Sequence, residues 1–303
     1  MTAEVLPAML DLPTDDELAS SLPGEFSSGH TEVNGTRLHH VIGGEGEPLV
    51  LLPAWPQNWW EYRKIMPALA ERYRVIVVEV RGMGASDKPA DGYDKKTMAR
   101  DVYDLVHAFG YRDVNVVGHD IGAMVAFSFA ANHPDATRKL ALLDVAHPDE
   151  SRYEMRLVPR PGAGFNMWWW AFNQVRELPE QLLAGRAWYL IDWLYSNSLV
   201  DPDAIGPRDR AIYARAYDTP EAIRATNGWY QAFHQDIADL KTYGKVTAPV
   251  LGLACPINHD RLARVLPEQG TDVRVVRVEN SSHWIPEEQP ELVARLLAEF
   301  FAS

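Results

Sequence analysis

Short continuous apolar runs alternate with stretches of helical periodicity along much of the chain. PLVLLPAW, RVIVVEV, VNVVGHD and KLALLDV, which begin at Pro48, Arg74, Val114 and Lys139, have the length of buried strands and few polar residues. Between them, WEYRKIMPALAERY, KKTMARDVYDLVHAFG and GAMVAFSFAANHP space their apolar residues as helices do. The second ends on Gly110, a C-cap signal, and the third on Pro134. Strands apolar on both faces and separated by helices predict a parallel sheet covered on both sides. Upstream, FSSGHTEVNGTRLHHVI (26–42) sets Asn34 and Gly35 between two alternating runs, the strongest short signal for a hairpin. Gly43, Gly44 and Gly46 follow, but Pro48 opens a strand and no helix, so they read as a turn and not as a nucleotide loop.

The rhythm stops between 147 and 243. This block is rich in Trp, Tyr, Arg and Leu at helical spacing and contains no buried strand. The alternation resumes with APVLGLAC, VRVVRVEN and the final helix PEEQPELVARLLAEFF. A helical block between two strands of one sheet predicts a cap inserted into a single core. The predicted organisation is an acidic, loosely held arm with one short helix (1–25), a core (26–146 and 244–303) and a helical cap (147–243).

At 303 residues, the chain is long enough for one large domain with such an insertion. A formal net charge of −13 argues against nucleic acid or an anionic membrane as partner, since both require a basic face. No segment reaches the ~20 apolar residues of a membrane span. The N-terminus has neither the basic start nor the apolar run of a signal peptide. Cys255 is the single cysteine, so no internal disulfide forms. A cytoplasmic protein is expected.

The chemistry concentrates in NVVGHDIGAM (115–124). A predicted strand runs into Gly118, His119, Asp120, Ile121 and Gly122, and a helix follows at once. Small residues two positions either side of a central side chain are the signature of a nucleophile elbow, which exposes that side chain beside a helix N-terminus. Serine is the usual occupant. Asp120 is ionised at neutral pH and needs no base to attack carbon, so it would form an alkyl ester. An ordinary N-cap would explain Asp120 alone, but neither the two glycines nor the preceding strand.

With these residues the chain resembles the epoxide hydrolase and fluoroacetate dehalogenase branch of the α/β-hydrolase superfamily. The resemblance covers about 27–301 and is carried, in order, by LLPAWPQNWWEYR, VRGMGASDKP, VVGHDIGAMVAFSFAANHP and SSHWIPEEQP. It implies an α/β-hydrolase fold, with a mostly parallel sheet of about eight strands flanked by helices and an inserted helical cap. It also implies His283 as the base. Of the remaining histidines, His119 should point into the core. The acid that orients His283 would be Asp144, after KLALLDV, or Asp260, in the later loop used by many α/β-hydrolases; the spacing favours Asp144. The backbone N–H groups of Trp55 and Ile121 would form the oxyanion hole, although Pro53 and Ala54 replace a His-Gly pair common in relatives.

In this branch the cap supplies donors to the leaving oxygen or halide. Tyr230 matches the cap tyrosine. Trp169 stands where relatives often carry histidine, so a second donor would be Trp169 itself or another tyrosine such as Tyr153. Trp169, Trp170, Phe172 and Trp229 would form the substrate wall, which suggests a bulky apolar or aromatic small molecule. Ile121 replaces the arginine of fluoroacetate dehalogenases and the tryptophan of haloalkane dehalogenases, which leaves an epoxide as the favoured electrophile. The resemblance implies no cofactor, and no metal-ligand cluster stands at useful spacing. It is compatible with a homodimer. The other readings are a dehalogenase with the same ester, a ring-opening or cyclising biosynthetic enzyme, and a binding protein that has lost turnover.

Overall fold

The computed structural model describes residues 12–156, 158 and 167–302. Eight strands form one sheet in the order β1-β2-β4-β3-β5-β6-β7-β8. They are β1 (Ser27–Val33), β2 (Thr36–Gly43), β3 (Glu47–Leu52), β4 (Tyr73–Val78), β5 (Val114–His119), β6 (Thr137–Leu143), β7 (Val250–Ala254) and β8 (Val273–Arg277). β2 runs antiparallel to its neighbours β1 and β4, and every other pair is parallel. The hairpin turns at Asn34 (φ 45°) and Gly35 (φ 72°), the left-handed pair that matches strand twist. Every residue of β5 is buried, which accounts for its unbroken apolar run. β8 lies at the sheet's edge and keeps arginines on its exposed positions.

The helices are α1 (Asp15–Ser20), α2 (Met66–Ala70), α3 (Lys95–Ala108), α4 (Ile121–Asn132), α5 (Trp168–Phe172), α6 (Leu178–Leu183), α7 (Ala187–Ser198), α8 (Pro207–Ala216), α9 (Pro220–Gln231), α10 (Phe233–Leu240), α11 (His259–Gln269), α12 (Ile285–Glu288) and α13 (Pro290–Ala302). Asp94 caps α3, accepting from Thr97 N at 2.8 Å, and Met98, Ala99, Val102, Leu105 and Val106 form its buried face. α4 is buried almost all round from Ile121 to Ala130, because it crosses the middle of the sheet. WEYRKIMPALAERY does not form one helix. It makes a 3₁₀ segment (Trp59–Lys64) and then α2, with Pro67 in the first turn of α2.

The six helices α5–α10 stand between β6 and β7 in the chain. Two buried polar clusters tie them to the sheet. Lys95, at the start of α3, donates from Nζ to Asp236 Oδ2 (2.8 Å) and to the Trp229 carbonyl (2.7 Å), while its own N–H meets Asp236 Oδ1 (2.8 Å). Arg63 bridges Asp209 of α8 (2.8 Å) and Glu287 of α12 (2.5 Å). Of the loosely held arm expected over 1–25, residues 1–11 lie outside the described residues, and residues 12–25 are anchored. Thr14 and Glu17 form a capping box, Leu18 and Ala19 are buried, Asp15 accepts from the Trp59 indole (2.7 Å), and Arg215 holds the Leu12 and Pro13 carbonyls. No helix among the described residues is long and apolar enough to cross a membrane.

Removing one partner of a buried ion pair leaves the other charge uncompensated. Asp236→Ala should therefore lower stability by about 3–5 kcal/mol. Chemical denaturation would show this as a lower midpoint with an unchanged slope.

Candidate active site

The site lies where the sheet's connections diverge. β3 is flanked by β4 on one side and β5 on the other, and the crevice at the carboxyl ends of β3 and β5 is where open α/β sheets bind ligands. Asp120 follows β5 there with φ 51° and ψ −116°, a conformation that costs a non-glycine residue roughly 1–3 kcal/mol. A Cβ on Gly118 would collide with the Gly122 carbonyl, and one on Gly122 with the carbonyls of Leu52 and Pro53. Both glycines are therefore steric requirements of the turn. Asp120 makes no capping bond to α4, so its side chain is free to face the crevice. The Trp55 N–H, just beyond β3, lies 3.4 Å from Asp120 Oδ1, and the Ile121 N–H also donates to the carboxylate.

His283 enters from the loop after β8. Its Nε2 is 3.5 Å from Asp120 Oδ2, and its Nδ1 is 2.6 Å from Asp144 Oδ2. Asp144, at φ 63° after β6, is held by two more donors, Cys255 N to Oδ1 (2.8 Å) and Asn258 Nδ2 to Oδ2 (2.6 Å). Asp260, the other candidate acid, begins α11 with its side chain 95% exposed beside His259. The geometry therefore gives Asp144 the contact with His283. Beneath the site, His119 is fully buried between Glu61 Oε1 (2.7 Å) and the His283 carbonyl (2.9 Å). Glu61 Oε2 in turn accepts from Ala54 N (2.7 Å), so one carboxylate steadies both the β3 loop and the His283 loop.

The charges reinforce one another. Burial disfavours the His283 cation, but hydrogen bonds and charge from Asp120 and Asp144 outweigh it and raise its pKa to about 10. Burial likewise works against the Asp120 carboxylate, and His283 followed by His119 overcomes it, which lowers the pKa. These shifts favour the charged forms of His283 and Asp120 together.

Asp120 and His283 open into a cavity of about 180 Å³ whose other walls include Trp55, Trp169, Trp170 and Tyr230. This is smaller than the ~300–1,000 Å³ of pockets for drug-sized ligands. Burial and the Asp120 charge push the Tyr230 phenol well above its ordinary pKa, so it stays protonated. The Trp169 side chain hydrogen-bonds to Tyr230, and since indole only donates, the phenol oxygen is the acceptor. The same phenol also hydrogen-bonds to the Asn173 side chain. Trp169 thus acts on Tyr230 and is not an independent second donor.

Three expectations are corrected. Trp229 is fully buried on the far side of its helix, donating to the Arg81 carbonyl at 3.0 Å, and is not part of the wall. Phe172 packs on Trp168, with centroids 5.8 Å apart, and does not reach the cavity. Tyr153 is 64% exposed and cannot pair with Tyr230. Sequence reasoning missed Arg152, Arg261 and Trp284, which also line the cavity. Trp284 had a signal in its position beside His283. Arg152 and Arg261 had none: Arg152 lies on a short 3₁₀ segment (Glu150–Glu154) with no buried residue, and Arg261 in the first turn of α11, beside the apolar face formed by Leu262 and Leu266. Among the described residues, no group of three His, Cys, Asp or Glu side chains could hold a metal ion.

An eight-stranded α/β sheet with a carboxylate at the elbow, facing a histidine and a second acid, defines an α/β-hydrolase site. Residues 47–192 match the family model for the alpha/beta hydrolase fold. The soluble epoxide hydrolase of Corynebacterium sp. (strain C12) is 34% identical over 289 residues, covering 92% of this chain and 98% of its own. The crystal structure of Cfl2 from Burkholderia cenocepacia superposes with a TM-score of 0.84 at 32% identity, over 92% of this chain and 96% of that one. The epoxide hydrolase CorEH without ligand gives 0.79 at 34%, over 92% and 99%. The chain belongs to the α/β-hydrolase family, and it is a hydrolase.

The raised pKa means that the His283 cation persists as pH rises until about 10. NMR titration of its ring should show that midpoint in the resting enzyme. In Asp120→Asn, which removes one of the two anions, the midpoint should move toward neutrality by more than about 1 pH unit.

Proposed function

We propose that the protein is an epoxide hydrolase that works through an ester on Asp120. The observation that carries this reading is the pairing, in one cavity, of an ionised Asp120 beside His283 with the protonated phenol of Tyr230. A carboxylate can open an epoxide only if the departing oxygen, a strongly basic alkoxide, receives a proton or a strong hydrogen bond. A buried phenol supplies this, and halide displacement has no need of it. Ile121, in place of a charged or N–H-bearing side chain, gives no special support to a halide or a haloacid.

In the first step an Asp120 oxygen attacks a ring carbon, the C–O bond breaks, and the oxygen takes the Tyr230 proton. The Trp169 indole then stabilises the phenolate. Esterification removes the Asp120 charge, so His283 loses one of the two anions that hold its proton, and that proton returns to Tyr230 through solvent. In the second step neutral His283, oriented by Asp144, takes a proton from water, and hydroxide attacks the Asp120 carbonyl carbon. The N–H groups of Trp55 and Ile121 hold the oxyanion. As the intermediate collapses, the departing alkoxide takes the remaining proton of the former water and leaves as a vicinal diol. Asp120 is again a carboxylate and His283 again a cation, so the proton count closes.

His283→Gln should accumulate the ester, visible as the mass of one epoxide on the peptide that contains Asp120. Wild-type enzyme in heavy-oxygen water should place label in Asp120 within a few turnovers. Absence of both signals, or halide release in place of diol, would sink the reading. Tyr230→Phe should slow ester formation about 10²–10⁴-fold, the range for a lost general acid. Trp169→Phe should slow it about tenfold, as expected for one hydrogen bond to the developing phenolate.

A further inference from the structure

Two guanidinium groups line the same small cavity as Asp120 and Tyr230, those of Arg152 and Arg261. Arg152 makes no ion pair with any described residue. Its guanidinium carbon lies 4.5 Å above the Trp170 ring, which is itself a wall of the cavity. Among the described residues, Arg261 reaches Asp149, 3.4 Å away, and the Ser151 hydroxyl at 3.0 Å. The Nε atoms of both arginines are buried with no acceptor among the described residues. Two buried donors left unmatched at one site are costly, and the cost disappears when an anion accepts from them. Burial and then the neighbouring Arg261 charge pull the Arg152 pKa down to about 10, the strain of two like charges held close. A structural role would pair Arg152 with a carboxylate. What it has instead is the aromatic face of Trp170 beside it at the cavity wall.

We propose that Arg152 and Arg261 form an anion subsite and that the substrate is a compact epoxide bearing a carboxylate, in place of the purely apolar one that the tryptophans suggest. This rests on the epoxide reading for the ring-opening step but not for the subsite. The carboxylate would accept from the guanidinium edges beside Trp170, while the epoxide ring lies between Asp120 and Tyr230. The planar fork of arginine matches the two oxygens of a carboxylate.

Two experiments test this. The first needs no turnover: calorimetric titration of the wild-type protein with butanoate and with butanamide. Butanoate should bind at least tenfold more tightly. Equal affinities, or no binding of butanoate, would overturn the subsite. The second compares kcat/KM for a short epoxy acid and its primary amide in wild type, Arg152→Met and Arg152→Lys. The acid-to-amide ratio should be well above one in wild type, fall about 100-fold in Arg152→Met and recover in part in Arg152→Lys. A ratio unchanged by Arg152→Met would assign Arg152 to ring opening or to the fold and refute the subsite, because either role weighs on both substrates alike. Tight butanoate binding with no diol or Asp120 ester from any epoxide would keep the subsite and refute the epoxide reading. Diol formation with no discrimination between acid and amide would do the reverse.

Discussion

The near-contact of α4 with the end of β3 is the constraint on which the site depends. Gly122 lies so close to the Leu52 and Pro53 carbonyls that no side chain fits between them. That approach forces the chain to reverse sharply at Asp120, and it brings the Trp55 N–H and the N-terminus of α4 to the same carboxylate. The positive φ of Asp120 is the local cost. It is tolerated because β5 and α4 are buried along nearly their whole length and leave the turn no alternative course. An elbow of this kind places a charge at the one point of the sheet where a crevice already exists.

Around that point the protein accumulates buried ionisable groups in layers. Asp144 supports His283, His119 and Glu61 support the backbone on either side, and Tyr230 and Trp169 close the site from the inserted helices. The residues that the proposed mechanism uses are therefore divided between sheet and insertion. Its geometry is only as firm as the Lys95–Asp236 and Arg63–Asp209–Glu287 contacts that join the two. Buried pairs contribute modestly to stability but strongly to relative placement, and placement is what a two-sided site requires.

The strands, the elbow and His283 were legible in the sequence because each is written in contiguous residues: a run, a glycine spacing, a motif before a helix. Choosing between Asp144 and Asp260 needed three dimensions. Both follow strands, and only Asp144, whose carboxylate is fastened by Cys255 N and Asn258 Nδ2, meets His283. Trp229 and Tyr230 are adjacent on one helix and point to opposite sides, so composition could not tell wall from core there. The anchored arm was missed because its stability comes from Trp59 and Arg215, residues distant in sequence. The break in the helix predicted after Trp59 shows proline and 3₁₀ geometry overriding apolar spacing.

The backbone amide of Cys255 fastens Asp144, and this fixes the chain's one thiol, itself buried, behind the acid that contacts His283. Burial, reinforced by the Asp144 charge, pushes that thiol up to about 12. At neutral pH almost none of it is thiolate, the only form that attacks carbon. The same arrangement that orients the histidine thus disarms the most nucleophilic side chain in the neighbourhood. On the epoxide reading proposed above, an alkylating substrate is thereby kept from the cysteine, and its chemistry falls to a carboxylate whose ester water can release.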